Sequence, residues 1–153
     1  DVYVGGLMEG AAEGLYKMLP AIIFLVGCGL AFATGTSWGT FSILIPIVIP
    51  IFSGSDPTLL IIGISACLAG AVCGDHCSPI SDTTIMASAG ANCDHIQHVR
   101  TQIPYAVTVA AISFVNYIIV GFVQNALICL ATGAALTVAV LFVIKATVGK
   151  KTV

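Results

Sequence analysis

Charged side chains are scarce in this sequence. Among its 153 residues only seven are Asp or Glu and only five are Lys or Arg, so charged residues make up 8% of the chain and hydrophobic residues 58%. A soluble domain carries about a quarter charged residues, because its surface must face water. The composition therefore excludes a water-soluble domain. Long uncharged stretches, and a mean hydropathy of +1.08, predict a polytopic membrane protein surrounded by the lipid bilayer.

Basic residues are also too few for a nucleic-acid-binding protein. Such a protein neutralises phosphates with a stripe of Lys and Arg side chains, which five basic residues cannot form. Cysteine occurs six times, but Cys28, Cys67 and Cys129 lie within apolar runs, where Cys behaves as a small hydrophobic residue. We therefore expect neither a nucleic-acid partner nor a disulfide scaffold.

The beginning of the chain divides into a lead-in segment and a hairpin. Residues 1–17 are rich in Gly and contain three acids, and we interpret them as preceding a membrane domain that covers 18–153. As one helix the uncharged segment 18–52 would be about 52 Å long, whereas the hydrocarbon core is about 30 Å thick. Gly and hydroxyl residues at 34–40 disfavour a helix interior, and the arms on either side are short for a crossing. This pattern predicts a re-entrant helical hairpin rather than two crossings.

Residues 58–90 predict a discontinuous helix, because this segment is again too long for one crossing. Gly74 is placed to end the first half as a left-handed cap residue. Ser78, which is followed by Pro, is placed to cap the second half. Asp75 and His76 would then lie in an unwound linker inside the membrane.

The rest of the chain predicts two transmembrane helices, so the expected fold class is all-α. Asp94, with Gln97 three residues later, has the pattern of a capping box at a helix start. We expect helices over 94–122 and 125–144, followed by a tail at 145–153.

Acids inside the predicted membrane segments are the strongest candidates for function. An ionised Asp at the bilayer centre costs about 2.5–3.5 kcal/mol on insertion scales, so such a residue requires a functional reason. Asp75 and Asp82 occupy these positions. A carboxylate beside the carbonyls at a helix C-terminus, here exposed around Gly74, forms a cation site.

Oxygen ligands suit a hard cation such as Na⁺, or a proton, better than a transition metal. His76 is a candidate ion ligand, proton relay or gate residue. Further oxygens come from the hydroxyl residues near the two predicted breaks, namely Thr36, Ser37, Thr40, Ser78, Ser81, Thr83 and Thr84.

Each of these features also has a structural interpretation. Ser and Thr in membrane helices often bond their own i−4 carbonyl groups. Asp82 could merely complement the positive end of a helix. Gly70 and Gly74 have the spacing of a close helix–helix contact.

A zinc site is the alternative from a different class of function. Thiolate and imidazole groups suit Zn²⁺, but there is no C-x-x-C pair. Cys73 and Cys77 flank the predicted helix break, and the group at 93–98 lies at the other end of a half-helix. His95 and His98 are expected at the lipid headgroups. The candidate ligands are Cys73, His76, Cys77, Cys93, His95 and His98.

Two motifs resemble the NhaC-type family of Na⁺/H⁺ antiporters. The first is FATGTSWGT at 32–40, followed by IPIVIP at 45–50, and the second is GDHCSPISDTT at 74–84. The resemblance implies a secondary transporter rather than an enzyme, built from inverted repeats, of which this chain looks like the C-terminal half. It also implies that the hairpin tip at 34–40 faces the linker at 74–82.

From this resemblance we expect exchange of Na⁺ for H⁺, with the transported ions in place of any cofactor. Asp75 would hold one ion or the other, because burial disfavours the charged carboxylate unless a cation accompanies it. Some members exchange organic anions or amino acids, so transport of an organic acid or amino acid coupled to Na⁺ or H⁺ is the alternative.

The expected location is the bacterial inner (plasma) membrane. Because the chain begins at Asp1 rather than Met, we expect a fragment whose missing N-terminal half is its partner. Association into a homo-oligomer is left open.

Overall fold

The structure, a computed structural model, describes residues 2–52 and 57–148, and the side chains of 13–52 and 57–147. These residues form six α-helices and no β-strand, which confirms the all-α prediction. Four of the helices are long and apolar enough to cross a membrane. In chain order the helices are α1 (Val2–Thr34), α2 (Ser37–Phe52), α3 (Pro57–Cys77), α4 (Asp82–Gly90), α5 (His95–Val123) and α6 (Ala126–Val148).

Helix α1 has no boundary at residue 17, where the predicted lead-in segment ends and the predicted membrane domain begins. It begins at Val2 and runs without a break to Thr34. The Gly residues of 2–17 are offset by Ala, Leu, Met and Glu, which are strong helix formers. Its part Glu13–Thr34 alone has the 22 residues and the hydropathy of a membrane span. The expectation that both arms of the hairpin are short for a crossing is therefore wrong for the first arm.

Helices α1 and α2 form an antiparallel hairpin with a two-residue tip. Gly35, at φ +69°, and Thr36 separate the helices, so the break falls inside the predicted range but is narrower. At the far end of α2 the ring of Phe52 packs 5.4 Å from that of Tyr16. The Tyr16 hydroxyl also donates to the carbonyl oxygen of Ile51 at 3.0 Å. Helix α2 has only 16 residues and ends beside the middle of α1.

Helix α3 runs parallel to α1 and packs against it through glycines. A Cβ atom at Gly70 would clash with the carbonyl oxygen of Phe24, and one at Gly74 with that of Cys28. Small residues allow the two backbones to approach this closely. The close-contact interpretation of Gly70 and Gly74 is confirmed. The prediction that Gly74 is a left-handed cap residue is wrong, because Gly74 lies within α3.

The core lies where α1, α2 and α3 meet, around Phe24, Val48 and Phe52, all at most 1% exposed. Helix α5 runs antiparallel to α1, with the Tyr117 ring 5.3 Å from that of Phe24. Among the helices described, α6 contacts only α5. The bundle therefore consists of a tightly packed unit of α1, α2 and α3, against which α5 packs with Gly121 on the backbone of Lys17, and α6 joins the bundle through α5.

The boundaries of the last two helices lie close to their predicted positions. The Asp94 side chain caps α5 by accepting a hydrogen bond from the backbone N–H of Gln97 at 2.8 Å. Gln124, at φ 48°, ends that helix in the left-handed conformation, and the Asn125 side chain accepts from the first N–H groups of α6. Helix α6 extends to Val148, so the predicted tail begins inside it.

Candidate functional site

The helix break between α3 and α4 lies at residues 78–81, later in the chain than predicted. Gly74, Asp75 and His76 belong to the last turn of α3. A residue before Pro is disfavoured in the helical conformation, so Pro79 ends the helix at Cys77. The prediction that Asp75 lies in the unwound linker is therefore wrong: it lies one turn before the linker.

The cap of α4 also differs from the prediction. Ser81 is the N-cap residue, and its hydroxyl oxygen accepts from the N–H of Thr83 at 3.2 Å. Ser78 was expected in this role. Helix α3 has 21 residues and can span a membrane by itself. Its length therefore no longer requires a break at mid-bilayer.

Asp75 is buried and hydrogen-bonded to a neutral group. Its carboxylate side chain is only 3% exposed, and its Oδ1 atom accepts from the hydroxyl of Ser81 at 2.7 Å. The Thr83 hydroxyl lies 2.7 Å from Ser81 Oγ. Because Ser81 has one proton and gives it to Asp75, Thr83 donates to Ser81. A short chain of hydroxyl groups thus ends on the carboxylate.

No positively charged side chain compensates Asp75 in the described part of the chain. The one ion pair recorded there joins Lys17 and Glu13 on α1. A buried carboxylate without a cationic partner is strongly disfavoured in its charged form. The described residues therefore leave the charge of an ionised Asp75 without compensation.

Ser78 and Ile80 connect the helix break to the hairpin tip. The hydroxyl of Ser78, which is fully buried, donates to the carbonyl oxygen of Phe32 at 2.8 Å. At the tip, a Cβ atom on Gly35 would lie 2.9 Å from both the carbonyl oxygen and Cγ1 of Ile80, so glycine is required by contact as well as by φ. The tip and the linker are in contact, as the resemblance implies.

The hydroxyl groups predicted as oxygen ligands on the hairpin form hydrogen bonds at the first turn of α2. Thr40 is 1% exposed and donates to the carbonyl oxygen of Thr36 at 2.8 Å. Thr36 Oγ1 accepts from the N–H of Gly39 at 3.3 Å. Ser37 is the first residue of α2 and is half-buried. The bonds of Thr36 and Thr40 fit the structural interpretation of these hydroxyl groups.

Two other predicted site residues lie away from the buried carboxylate. Asp82 is exposed, and its Oδ1 atom accepts from the N–H of Thr83 at 2.8 Å, which fits a role at the start of α4. His76 is exposed and bonded through Nδ1 to the carbonyl oxygen of Val72 at 2.9 Å. It lines an apolar cavity of about 910 Å³ between α3 and α5. Side-chain hydrogen bonds bring Asp75, Ser81 and Thr83 together, whereas the Ser78 hydroxyl bonds to Phe32 on α1. Asp82 and His76 are left at the surface.

Sequence reasoning missed the position of His95. Its place at the headgroups stays a prediction, but its ring lies half-buried against the linker, 2.7 Å from the carbonyl oxygen of Pro79 and 3.1 Å from the hydroxyl of Ser88. The tight turn after α4, where Asn92 has φ 51°, returns the chain to this point. Thr84, by contrast, was a candidate; it is 3% exposed, and its hydroxyl has no hydrogen-bond partner among the described residues.

The zinc alternative gains no support from the described residues. Within 2–52 and 57–148, no three His, Cys, Asp or Glu side chains are grouped so as to hold a metal ion. The six cysteines are free thiols.

Four helices are apolar and long enough to cross a membrane, and among the described residues the buried carboxylate of Asp75 has no cationic partner. Such an acid among membrane-spanning helices is typical of an integral membrane transporter. The sequence profile of the Na⁺/H⁺ antiporter family matches residues 1–122. The chain belongs to this family, which comprises transporters and not enzymes, and the resemblance to NhaC-type antiporters is confirmed.

Relatives with known sequences are much longer than this chain. An uncharacterized protein of Haemophilus influenzae is 47% identical over 95% of this chain and 28% of its own length. The malate-2H⁺/Na⁺-lactate antiporter of Bacillus subtilis is 36% identical over 73% of this chain and 25% of its own. The arginine/ornithine antiporter of Halobacterium salinarum is 35% identical over 73% and 24%. The chain thus spans about a quarter of these proteins. No solved structure matches it.

Proposed function

We propose that this chain forms the ion-binding part of a secondary antiporter that exchanges Na⁺ for H⁺ across a bacterial inner membrane. The observation that carries the proposal is the burial of Asp75, 3% exposed, with a serine hydroxyl rather than a basic side chain as its partner. Because the chain belongs to an antiporter family, a carboxylate held in that way supports a role for Asp75 as the group that binds the transported ion.

Exchange would follow from competition at one carboxylate. With a proton bound, Asp75 is neutral and can stay buried without a cation beside it. With Na⁺ bound, the ionised carboxylate is compensated by the ion. Oxygens of Ser81 and Thr83, and the partial negative charge at the C-terminus of α3, would complete a hard-cation site. Because both ions need the same carboxylate, binding of one favours release of the other.

The surrounding helices would form the moving part of the transporter. We propose that α1 and α2 form a re-entrant hairpin, and that α3, the linker and α4 form a broken helix that contacts its tip. A longer protein would supply the remaining ligands and a scaffold, since the relatives are about three times as long as this chain. The exposed apolar faces of α5 and α6 would contact lipid or that scaffold.

The test is Asp75→Asn in the complete gene product that contains this chain. We expect Na⁺-dependent proton movement in everted membrane vesicles to be abolished, because a neutral amide cannot bind a proton and Na⁺ alternately. The matched comparison is Asp82→Asn, which changes an exposed carboxylate seven residues away and should leave most of the exchange. Exchange by Asp75→Asn with an unchanged pH profile would show that another group carries the ions.

A second candidate is the exchange of organic acids or amino acids, which is favoured by the names of two relatives. A substrate carboxylate would need a cationic side chain beside it, and in the described residues no such side chain is ion-paired with Asp75. Vesicles loaded with malate, lactate, arginine or ornithine would separate the two functions. Counterflow of one of these solutes that persists without a Na⁺ gradient would support the second candidate.

A further inference from the structure

The linker between α3 and α4 is held by three different helices. Ser78 donates to the carbonyl oxygen of Phe32 on α1, and Ser81 donates to Asp75 on α3. The third bond comes from α5, where His95 Nε2 lies 2.7 Å from the carbonyl oxygen of Pro79. Two of these bonds stay within the tightly packed unit of α1, α2 and α3. Among the described residues, the histidine bond is the one hydrogen bond that joins the linker to α5.

The hydrogen-bond partners of the His95 ring determine which of its nitrogens carries a proton. The Pro79 carbonyl oxygen can only accept, so Nε2 must donate to it. In the neutral imidazole Nδ1 is then an acceptor, and Ser88 donates to it across 3.1 Å. In the charged imidazole Nδ1 donates instead, and the Ser88 hydroxyl turns to the carbonyl oxygen of Ile85 at 2.9 Å. The bond to Pro79 persists in both states.

We propose that His95 is a positioning residue for Asp75, which acts by holding the linker through the carbonyl group of Pro79. Pro79 stands between Ser78 and Ser81 and has no N–H of its own to anchor it. If the Pro79 carbonyl were released, the linker would keep its contacts to α1 and α3 but lose its support from α5. Ser81 would then spend less time in bonding distance of Asp75. This inference rests on the proposed function and identifies a residue that tunes the same ion site.

Two amide substitutions, His95→Gln and His95→Asn, distinguish the contact of His95 with Pro79 from its contact with Ser88. The side-chain nitrogen of Gln can occupy the position of Nε2 and donate to Pro79, whereas the shorter Asn can reach only the position of Nδ1 beside Ser88. We expect His95→Asn and His95→Leu to raise the Na⁺ concentration for half-maximal exchange about fivefold, the loss of one hydrogen bond. The maximal rate should change less than twofold. His95→Gln should restore wild-type behaviour, because the role does not depend on charge.

Hydrogen–deuterium exchange of the solubilised full-length protein gives a readout that does not depend on transport. In His95→Asn and His95→Leu we expect amide exchange to rise about fivefold in the peptide that covers residues 78–84. His95→Gln should leave it unchanged. The matched control is His98→Leu, one turn further along α5, because the His98 ring has no side-chain hydrogen bond recorded in the described part of the chain.

The outcomes distinguish this inference from the proposed function. If the wild-type protein shows no Na⁺-dependent proton movement, the proposed function fails, while the exchange of residues 78–84 still tests the hold on the linker. If His95→Gln is as defective as His95→Leu, or if His95→Leu leaves residues 78–84 protected, His95 does not position the linker. Equal effects of His95→Leu and His98→Leu would also overturn the inference.

Discussion

Helices α1 and α3 differ from α5 and α6 in burial, although all four have the length and hydropathy of membrane spans. The apolar stretches of α1 and α3 are 28% and 39% buried within the described chain, and those of α5 and α6 only 6% and 0%. The more exposed pair is also the more apolar, with hydropathies of 2.2 and 2.6 against 1.9 and 2.0. Hydropathy therefore shows which helices need apolar surroundings, but not which of them pack together.

Packing is decided by the size of the residues at the contact. Where α1 and α3 meet, Gly27, Gly70 and Gly74 leave so little space that backbone touches backbone. In a bilayer, helix association depends on such close contacts, because lipid tails are as apolar as Leu. Helices α5 and α6 meet instead through side chains, including a hydrogen bond of 3.0 Å from Thr132 to Asn116. We expect the first pair to move as one body and the second to be held more weakly.

The largest effect is expected for Gly74→Ala. Its Cβ atom would clash with the backbone of Cys28 and Phe32, which cannot move aside as a flexible side chain can. Overpacking costs typically 1–3 kcal/mol and more where the backbone must shift, so we expect a loss of about 3 kcal/mol or more. The measurement is the yield and thermal unfolding midpoint of the detergent-solubilised full-length protein.

Gly29→Ala is the control for this substitution. Gly29 also lies inside an apolar helix, but nothing lies within 4 Å of a Cβ atom built on it. Replacing Gly by Ala in a helix interior gains up to about 1 kcal/mol of helix propensity, so this variant should be neutral or slightly stabilised. If Gly74→Ala and Gly29→Ala unfolded at the same temperature, α1 and α3 would not be in backbone contact.

Local signals in the sequence predicted several parts of the fold correctly. Gly35 and the hydroxyl residues around it mark the hairpin tip, and Asp94 marks the start of α5, because turn and cap preferences act over a few residues. The choice of Asp75 as the main site residue depends on the cost of a buried charge, and the structure places that residue out of solvent. Its role in ion binding stays a prediction.

Other parts could not be read from neighbouring residues, because distant contacts decide them. Gly74 has the composition of a helix end, but its contact with Cys28, 46 positions away in the chain, keeps it inside α3. His95 reaches Pro79 only because α4 is nine residues long and followed by a tight turn. Because the predicted end of α3 was about one turn too early, Asp75 was predicted in the linker, whereas it lies in the last turn of α3.

The smallest effect is expected at the contact between α5 and α6, and it measures how far the two pairs of helices differ. Thr132→Val keeps the shape of the side chain but removes a hydroxyl whose one proton is shared between Asn116 Oδ1 on α5, at 3.0 Å, and the carbonyl oxygen of Cys129 within α6, at 3.1 Å. Hydrogen bonds between membrane helices average about 0.6 kcal/mol, so the unfolding midpoint should fall only slightly. Thr137→Val is the control, since that hydroxyl bonds the carbonyl oxygen of Gly133 within α6 itself, and it should change the midpoint less. If Thr132→Val destabilised the protein as much as Gly74→Ala, α5 and α6 would be held together as firmly as α1 and α3. Helices α5 and α6 would then form part of the scaffold.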